Sequence, residues 1–257
     1  MGLILGLFSA LLCGVIYVRM YKRDLPVPIG KGKAALPAIL GFFAPILSTL
    51  LVALIGLAVL RIFDRPMAEL IDSMLLRSVL ASFLAAGLPE EIVKLLIFLL
   101  VTAIAKPKNV YEHAMLCAGV GVGFTALEEA LYGGGSPLIA VARIPTFALH
   151  VVFGIIMGLY IGLARNDRLR GASAAKNTAL ALILPVVFHT VFDAATTANA
   201  ALRSDIESVQ QAGVVVALAV IIVSVILQFM ILSRFRKKSE YYCGIPTCAI
   251  AETQAAQ

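Results

Sequence analysis

Two pairs of adjacent glutamates interrupt stretches of this sequence that are otherwise apolar. Glu90 and Glu91 form the first pair and are followed by Lys94; Glu128 and Glu129 form the second. On a helix, Lys94 shares a face with both members of the first pair, because it lies four residues after one and three after the other. Carboxylates in such surroundings can act as general bases or as metal ligands.

Two histidines also lie within apolar runs. His150 is in the middle of one such run, and His189 precedes Asp193 by four residues, which places the two on one helical face. A single histidine in such a position is often a hydrogen-bonded core residue. Two of them, combined with carboxylates on other helices, favour a catalytic or metal-binding site. The third histidine, His113, lies at the edge of its run, and we exclude it from the predicted site.

The composition indicates the elements that must position these residues. The chain has 257 residues, of which 61% are hydrophobic and 14% are charged, and its mean hydropathy is +0.98. Soluble domains are about half apolar and about one quarter charged. Several apolar runs exceed the ~18 residues that indicate a membrane-spanning helix. We therefore predict an all-α, polytopic transmembrane bundle with seven spans, at Leu3–Val18, Leu36–Leu60, Val79–Ala105, Ala114–Leu131, Leu138–Ala164, Thr178–Asn199 and Val214–Leu232.

The distribution of basic residues predicts the orientation of these spans. Most of the 21 lysines and arginines fall in loops on one side. Lys94 and Arg143 fall inside predicted spans, and the other side receives only Arg61, Arg65, Arg77 and Arg203. Cytoplasmic loops carry the excess of basic residues, so we predict an extracytoplasmic N-terminus and a cytoplasmic C-terminus. Topology and anionic lipid thus account for the net charge of +6, and no nucleic-acid partner is expected.

The chain is predicted to form one unit. Residues 1–233 form the transmembrane bundle, residues 79–199 carry its motifs, and residues 234–257 form a basic and polar cytoplasmic tail. Cys243 and Cys248 lie in this tail, and the cysteine spacing shows neither a zinc knuckle nor a disulfide framework.

The polar residues are predicted to share one depth in the membrane. At about 1.5 Å of rise per residue, they lie roughly 20–26 Å from the cytoplasmic ends of their helices; they are Glu90, Glu128, His150, His189 and Asp193. We therefore expect them to converge in the outer half of the membrane. Glu129 is expected to be an interfacial charge, and Arg143 to lie too far outside to offset the negative charge of the layer.

With these clusters in place, the sequence resembles the PrsW family of intramembrane proteases, within the wider CAAX-endopeptidase-like clan. The resemblance covers roughly residues 88–193. Four motifs on successive spans carry it: Glu-Glu-x-x-Lys at Glu90, Glu91 and Lys94, Phe-x-x-x-Glu at Phe124 and Glu128, His-x-x-x-Gly at His150 and Gly154, and His-x-x-x-Asp at His189 and Asp193.

The resemblance implies a multi-pass protease of the prokaryotic cell membrane that cuts single-span or membrane-proximal proteins. The family role it suggests is the first, extracytoplasmic cut in an anti-sigma factor. In the prenyl-protein branch of the clan, the second motif ends in His and the fourth in Asn or a relative. Glu128 and Asp193 stand there in this chain, so prenylated substrates are not expected.

Peptide hydrolysis requires an activated water, a group that stabilises the oxyanion and a proton donor for the leaving amine. We assign the role of base to Glu90 or Glu91, with Lys94 holding the other carboxylate. Asp193 is expected to orient His189.

Glu128, His150 and His189 are predicted to bind a zinc ion that keeps one coordination position open for water. The alternative is a metal-free mechanism in which a glutamate and a histidine together activate water.

A proton- or cation-coupled transporter is the main alternative function, because buried carboxylates and histidines also form ion paths. Transporters often contain interrupted helices in paired, repeated positions. The sequence contains one candidate interruption, at Pro89, and no matching partner, which favours the protease.

Overall fold

The computed structural model describes residues 2–22, 29–66, 70–71, 73–132, 143–196 and 207–238. All regular secondary structure in these ranges is helical, which confirms the predicted all-α class. The α-helices are α1 (Gly2–Lys22), α2 (Lys31–Phe42), α3 (Ala44–Phe63), α4 (Met74–Ser82), α5 (Leu88–Ala105), α6 (Val110–Tyr132), α7 (Leu149–Leu169), α8 (Ala175–Thr196) and α9 (Glu207–Lys238).

Six helical segments among the described residues are long and apolar enough to cross a membrane. They are α1, the continuous pair α2–α3 (Lys31–Phe63), α6, α7, α8 and α9. The remaining predicted span corresponds to α4 and α5; α5 differs from the six in carrying three charged residues, Glu90, Glu91 and Lys94, among its 18 residues. An otherwise apolar helix therefore brings these three charged residues into the bundle.

A π-helical turn, Phe83–Gly87, joins α4 to α5. Pro89 follows it in the first turn of α5, as the sequence predicts. Proline cannot donate a backbone hydrogen bond and crowds the preceding turn, and a wider π turn accommodates both effects. The interruption expected at Pro89 is thus a local widening within a continuous helical segment, and Glu90 and Glu91 follow it directly.

Helix α6 lies at the centre of the bundle, packed against α1, α2 and α7. Its contact with α7 follows a seam of three glycines at four-residue spacing, Gly154, Gly158 and Gly162. A Cβ atom on Gly154 would lie 2.5 Å from the carbonyl oxygen of Cys117, and one on Gly158 would lie 2.3 Å from that of His113. Glycine is required here because the two helix backbones touch.

The segment before α7 departs from the prediction. A span was expected from Leu138, but α7 begins at Leu149, after the short 3₁₀ turn Ile144–Thr146. The carbonyl oxygen of Phe147 accepts hydrogen bonds from Cys13 Sγ (3.3 Å) and Thr125 Oγ1 (3.2 Å).

These side-chain hydrogen bonds fix an irregular backbone at this point. Arg143 directly precedes the 3₁₀ turn and lies before the start of α7. Residues 133–142, 197–206 and 239–257, including Cys243 and Cys248, lie outside the described part of the chain.

Candidate active site

Four helices bring the predicted site residues into one buried cluster. Helix α5 supplies three side chains, α8 supplies two, and α6 and α7 supply one each. In chain order they are Glu90, Glu91, Lys94, Glu128, His150, His189 and Asp193. The convergence expected from their common depth is therefore present.

Lys94 lies at the centre of the cluster and is 1% exposed. Its Nζ atom lies 2.9 Å from Glu91 Oε1, 2.8 Å from His150 Nδ1 and 3.7 Å from Glu90 Oε2. The ammonium also lies 3.8 Å from the centroid of the Phe124 ring, a cation–π contact that a buried cation makes at low desolvation cost. One cation thus joins α5, α6 and α7.

Glu91 orients His189. Glu91 is fully buried, and its Oε1 lies 2.9 Å from His189 Nδ1. An ionised carboxylate can only accept, so Nδ1 carries the proton and the Nε2 lone pair points into the site. His189 Nε2 lies 3.5 Å from Asp193 Oδ2 and 3.7 Å from Glu90 Oε2. The nitrogen that could bind a metal or accept a proton is therefore the one facing these two carboxylates.

His150 connects Lys94 with Glu128. Its Nδ1 faces Lys94, and its Nε2 lies 2.6 Å from Glu128 Oε2, although without hydrogen-bond geometry. The His150 and His189 rings contact each other edge to face, with centroids 5.2 Å apart. The two histidines therefore line one side of the cluster, and the carboxylates line the other.

The cluster fits a divalent cation. Three buried carboxylate oxygens have no hydrogen-bond partner: Glu90 Oε2, Glu91 Oε2 and Glu128 Oε2. Unpaired buried acceptors are costly, and a cation would compensate that cost. Ligand atoms of Glu90, His150 and His189 lie within 4.8 Å of one another. Ligands of one zinc ion lie at most about 4 Å apart, so small side-chain rotations would complete a site.

This geometric set differs from the predicted ligand set at one position. The sequence suggested Glu128, His150 and His189, whereas the atoms that converge most closely include Glu90 in place of Glu128. Glu128 nevertheless contacts His150 directly. Both glutamates are therefore within reach of the histidines.

A family model described as PrsW family intramembrane metalloprotease matches residues 35–227. This chain belongs to the PrsW family. It is 33% identical over 126 residues to Protease PrsW of Bacillus subtilis (strain 168), covering 47% of this chain and 56% of that protein. Protease PrsW of Geobacillus kaustophilus (strain HTA426) is 32% identical over 120 residues, covering 44% of this chain and 50% of that protein.

The chain spans about half the length of the curated PrsW relatives it matches. No solved structure matches it. The family match includes all four of the motif-bearing helices.

Glu129 and Arg143 form an ion pair beside the PrsW motifs. Glu129 was expected at the membrane interface, but it is 2% exposed. Arg143 donates from Nε to Glu129 Oε2 (2.8 Å) and from a terminal nitrogen to Glu129 Oε1 (2.7 Å). The same terminal nitrogen lies 3.5 Å from Glu128 Oε1. Two expectations are therefore wrong. Glu129 is buried and not an interfacial charge, and Arg143 lies close enough to Glu128 to offset its negative charge.

Helical periodicity could not have identified this pair, because the irregular turn Ile144–Thr146 separates Arg143 from α7. An arginine between two apolar runs, 14 residues after an adjacent pair of glutamates, is too weak a signal on its own.

Gly87 sets the separation between α5 and α8. A Cβ atom on Gly87 would lie 2.3 Å from Thr190 Oγ1 and 3.2 Å from the backbone of both Thr190 and Val186. We expect Gly87→Ala to displace α8, weaken the Glu91–His189 hydrogen bond and lower activity at least tenfold, because small misplacements within a site are costly. Cleavage assays of the purified variant would measure this loss.

The double variant Gly87→Ala/Thr190→Ala should recover part of the lost activity, because it removes the atom with the closest contact. Gly87→Ala/Thr190→Ser keeps that oxygen and should not recover. Gly56→Ala provides the matched control, since a Cβ there meets nothing within 4 Å. Equal activity of Gly87→Ala and Gly56→Ala would contradict the proposed spacing role.

Proposed function

We propose that this protein is an intramembrane endopeptidase that hydrolyses a peptide bond of a membrane-anchored protein near the extracytoplasmic side. The observation that carries the proposal is the buried cluster in which two glutamates of α5 meet His150 and His189. Membership of the PrsW family supports it.

Glu90 is the side chain best suited to be the general base. Glu91 is engaged by Lys94 and His189, whereas Glu90 Oε2 is 3.7 Å from each of the same two residues and accepts no hydrogen bond. A separation of 3.7 Å is beyond hydrogen-bond distance. Glu90 thus has an oxygen available to take a proton from the attacking water.

The remaining residues place charge beside Glu90 and orient the neighbouring histidine. Lys94 provides a fixed cation beside the reacting atoms, where negative charge develops on the carbonyl oxygen. Glu91 fixes the tautomer of His189, so that the Nε2 lone pair faces the site, where it can bind a metal. Glu90, once protonated, can return its proton to the leaving amine. Asp193 faces the same nitrogen of His189 and helps to orient the ring.

For a metal, we propose His150, His189 and Glu128 as the ligands, with Glu90 left to act as the base. At His150 the metal would replace either the proton on Nε2 or the contact of Nδ1 with Lys94. A zinc ion held there would supply Lewis-acid polarisation of the carbonyl and a bound water of lowered pKa. Metal content distinguishes this set from one that contains Glu90. Glu128→Gln should lose the metal and Glu90→Gln should keep it, whereas the reverse would assign Glu90 as the ligand.

The test of the activity is incubation of the purified protein in nanodiscs with a panel of single-span membrane proteins, including an anti-sigma factor. New fragments with the wild type and none with Glu90→Ala are expected, with the cut near the extracytoplasmic end of the substrate's span. Mass spectrometry of the fragments locates that cut. A reporter fused after Lys238 in prokaryotic cells tests the predicted N-out, C-in orientation, and it should be active only in the cytoplasm. Absence of fragments, together with proton or cation uptake by vesicles that contain the protein, would favour the transporter.

Removal of metal is expected to abolish cleavage, and added zinc is expected to restore it. The physical reason is the group of unpaired buried carboxylate oxygens, which a cation neutralises. The measurement is proteolysis after exhaustive chelation and zinc add-back, with metal content determined in parallel. Full activity in metal-free protein would reject the zinc site and leave the protease proposal intact.

A further inference from the structure

We infer that Arg143 is a positioning residue of this site, which acts by holding Glu128 against His150. The effect on cleavage rests on the proposed function, whereas the effect on the two side chains does not. Arg143 lies outside the four motifs, directly before the 3₁₀ turn that leads to α7.

The first argument is the division of the two Glu128 oxygens. Oε1 lies 3.5 Å from the Arg143 guanidinium, and Oε2 lies 2.6 Å from His150 Nε2. With one oxygen attracted to Arg143, the carboxylate of Glu128 presents the other to the histidine. The rotamer of Glu128 therefore depends on a cation on its outer side.

The second argument is that the guanidinium is itself held rigidly. Glu129 is buried, and both of its oxygens accept hydrogen bonds from Arg143. Such two-point pairing between arginine and a carboxylate fixes direction as well as charge, and lysine cannot reproduce it. Glu129 thus anchors Arg143, and Arg143 in turn positions Glu128.

The third argument is charge. Five carboxylates and two cations lie in this region, so its formal charge is −3 when the histidines are neutral. The cations are Lys94 and Arg143, and the carboxylates are Glu90, Glu91, Glu128, Glu129 and Asp193. Lys94 lies beside Glu90 and Glu91 in the inner part of the cluster. Without Arg143, adjacent Glu128 and Glu129 would repel each other in a medium of low dielectric constant.

The backbone of residues 143–148, which precedes α7, does not depend on the Arg143 side chain for its conformation. It is held by Thr146 Oγ1, which donates to the carbonyl oxygen of Arg143 (2.7 Å), and by the two hydrogen bonds to the carbonyl oxygen of Phe147. Phe147 is also fully buried. Substitution of Arg143 should therefore change the site and leave the helices in place.

The experiment compares Arg143→Lys and Arg143→Ala with wild type in nanodiscs. We expect kcat to fall about tenfold for the lysine variant and about 100-fold for the alanine variant, with KM changed less than about threefold, the pattern of a lost transition-state interaction. Arg77→Lys is the matched control, because Arg77 is a half-buried arginine whose bonds go to the backbone oxygen of Ile71. It should cleave at the wild-type rate.

A double-mutant cycle with Glu128→Gln tests whether Arg143 acts through Glu128. Because Glu128→Gln is expected to be inactive, the readout of the cycle is the ¹⁵N signal of His150 Nε2. Arg143→Ala should shift this signal little further in the Glu128→Gln background, because residues that act through one contact are not additive. Additive shifts would overturn the inference, as would unchanged cleavage by Arg143→Ala.

Ring ¹⁵N spectra provide a readout that needs no protease activity. The chain has three histidines, so selective labelling yields few signals, which His→Gln variants assign. Both Arg143 variants should shift the His150 Nε2 signal and leave His113, at the other end of α6, unchanged. A His150 signal identical to that of the wild type would overturn the inference even if the protein cleaves no substrate.

Discussion

Glu90→Gln is expected to lower the rate of peptide cleavage by roughly 10²–10⁴-fold, the usual contribution of a general base. The substitution keeps the size of the side chain and removes its ability to accept a proton. It should not lower the thermal unfolding midpoint, because Glu90 Oε2 accepts no hydrogen bond and its nearest cation is 3.7 Å away. Cleavage kinetics and thermal unfolding of the same preparation measure the two effects.

Glu207→Gln is the matched control, since Glu207 is an exposed glutamate at the start of α9. Cleavage by Glu90→Gln at more than about one tenth of the wild-type rate would move the role of base to another carboxylate. Loss of activity accompanied by a large fall in the unfolding midpoint would instead indicate a structural role for Glu90.

Glu91→Leu is expected to abolish activity and to destabilise the fold by about 3–5 kcal/mol, the usual cost of leaving one partner of a buried ion pair alone. Glu91 is fully buried and accepts hydrogen bonds from both Lys94 and His189. Its removal leaves the Lys94 ammonium without its closest anion. It also leaves His189 without the carboxylate that fixes its tautomer.

The double variant Glu91→Leu/Lys94→Met should regain most of the lost stability and none of the activity. Replacement of a buried pair by apolar side chains is often neutral or stabilising, whereas the site still lacks the groups that orient His189 and hold positive charge. Chemical denaturation in detergent compares the three proteins. The proposed roles of Glu91 and Lys94 would be contradicted if Glu91→Leu were as stable as the wild type, or if the double variant cleaved substrate.

The sequence by itself determined the class of protein and the identity of the seven residues that meet. A long apolar helix must satisfy its own backbone hydrogen bonds in lipid, so the hydropathy pattern alone predicts the spans. The period of the helix then places Lys94 on one face with Glu90 and Glu91, and His189 with Asp193. Because charged groups at membrane depth are costly, their common depth was sufficient to predict one site.

Relations between helices were decided only by the tertiary structure. The contact between Glu91 and His189 joins residues 98 positions apart and depends on the close approach of α5 and α8 at Gly87. The contact of Glu128 with His150 likewise depends on how α6 packs against α7 along their glycine seam.

The form of the irregular backbone was also decided by the tertiary structure, although Pro89 marked the place of one interruption in the sequence. The π turn before Pro89 and the 3₁₀ turn after Arg143 have no repeating pattern. Periodicity specifies which face of a helix a residue occupies. It specifies neither the rotation of one helix against another nor the path of a connection, because both depend on packing between segments that are distant in the chain.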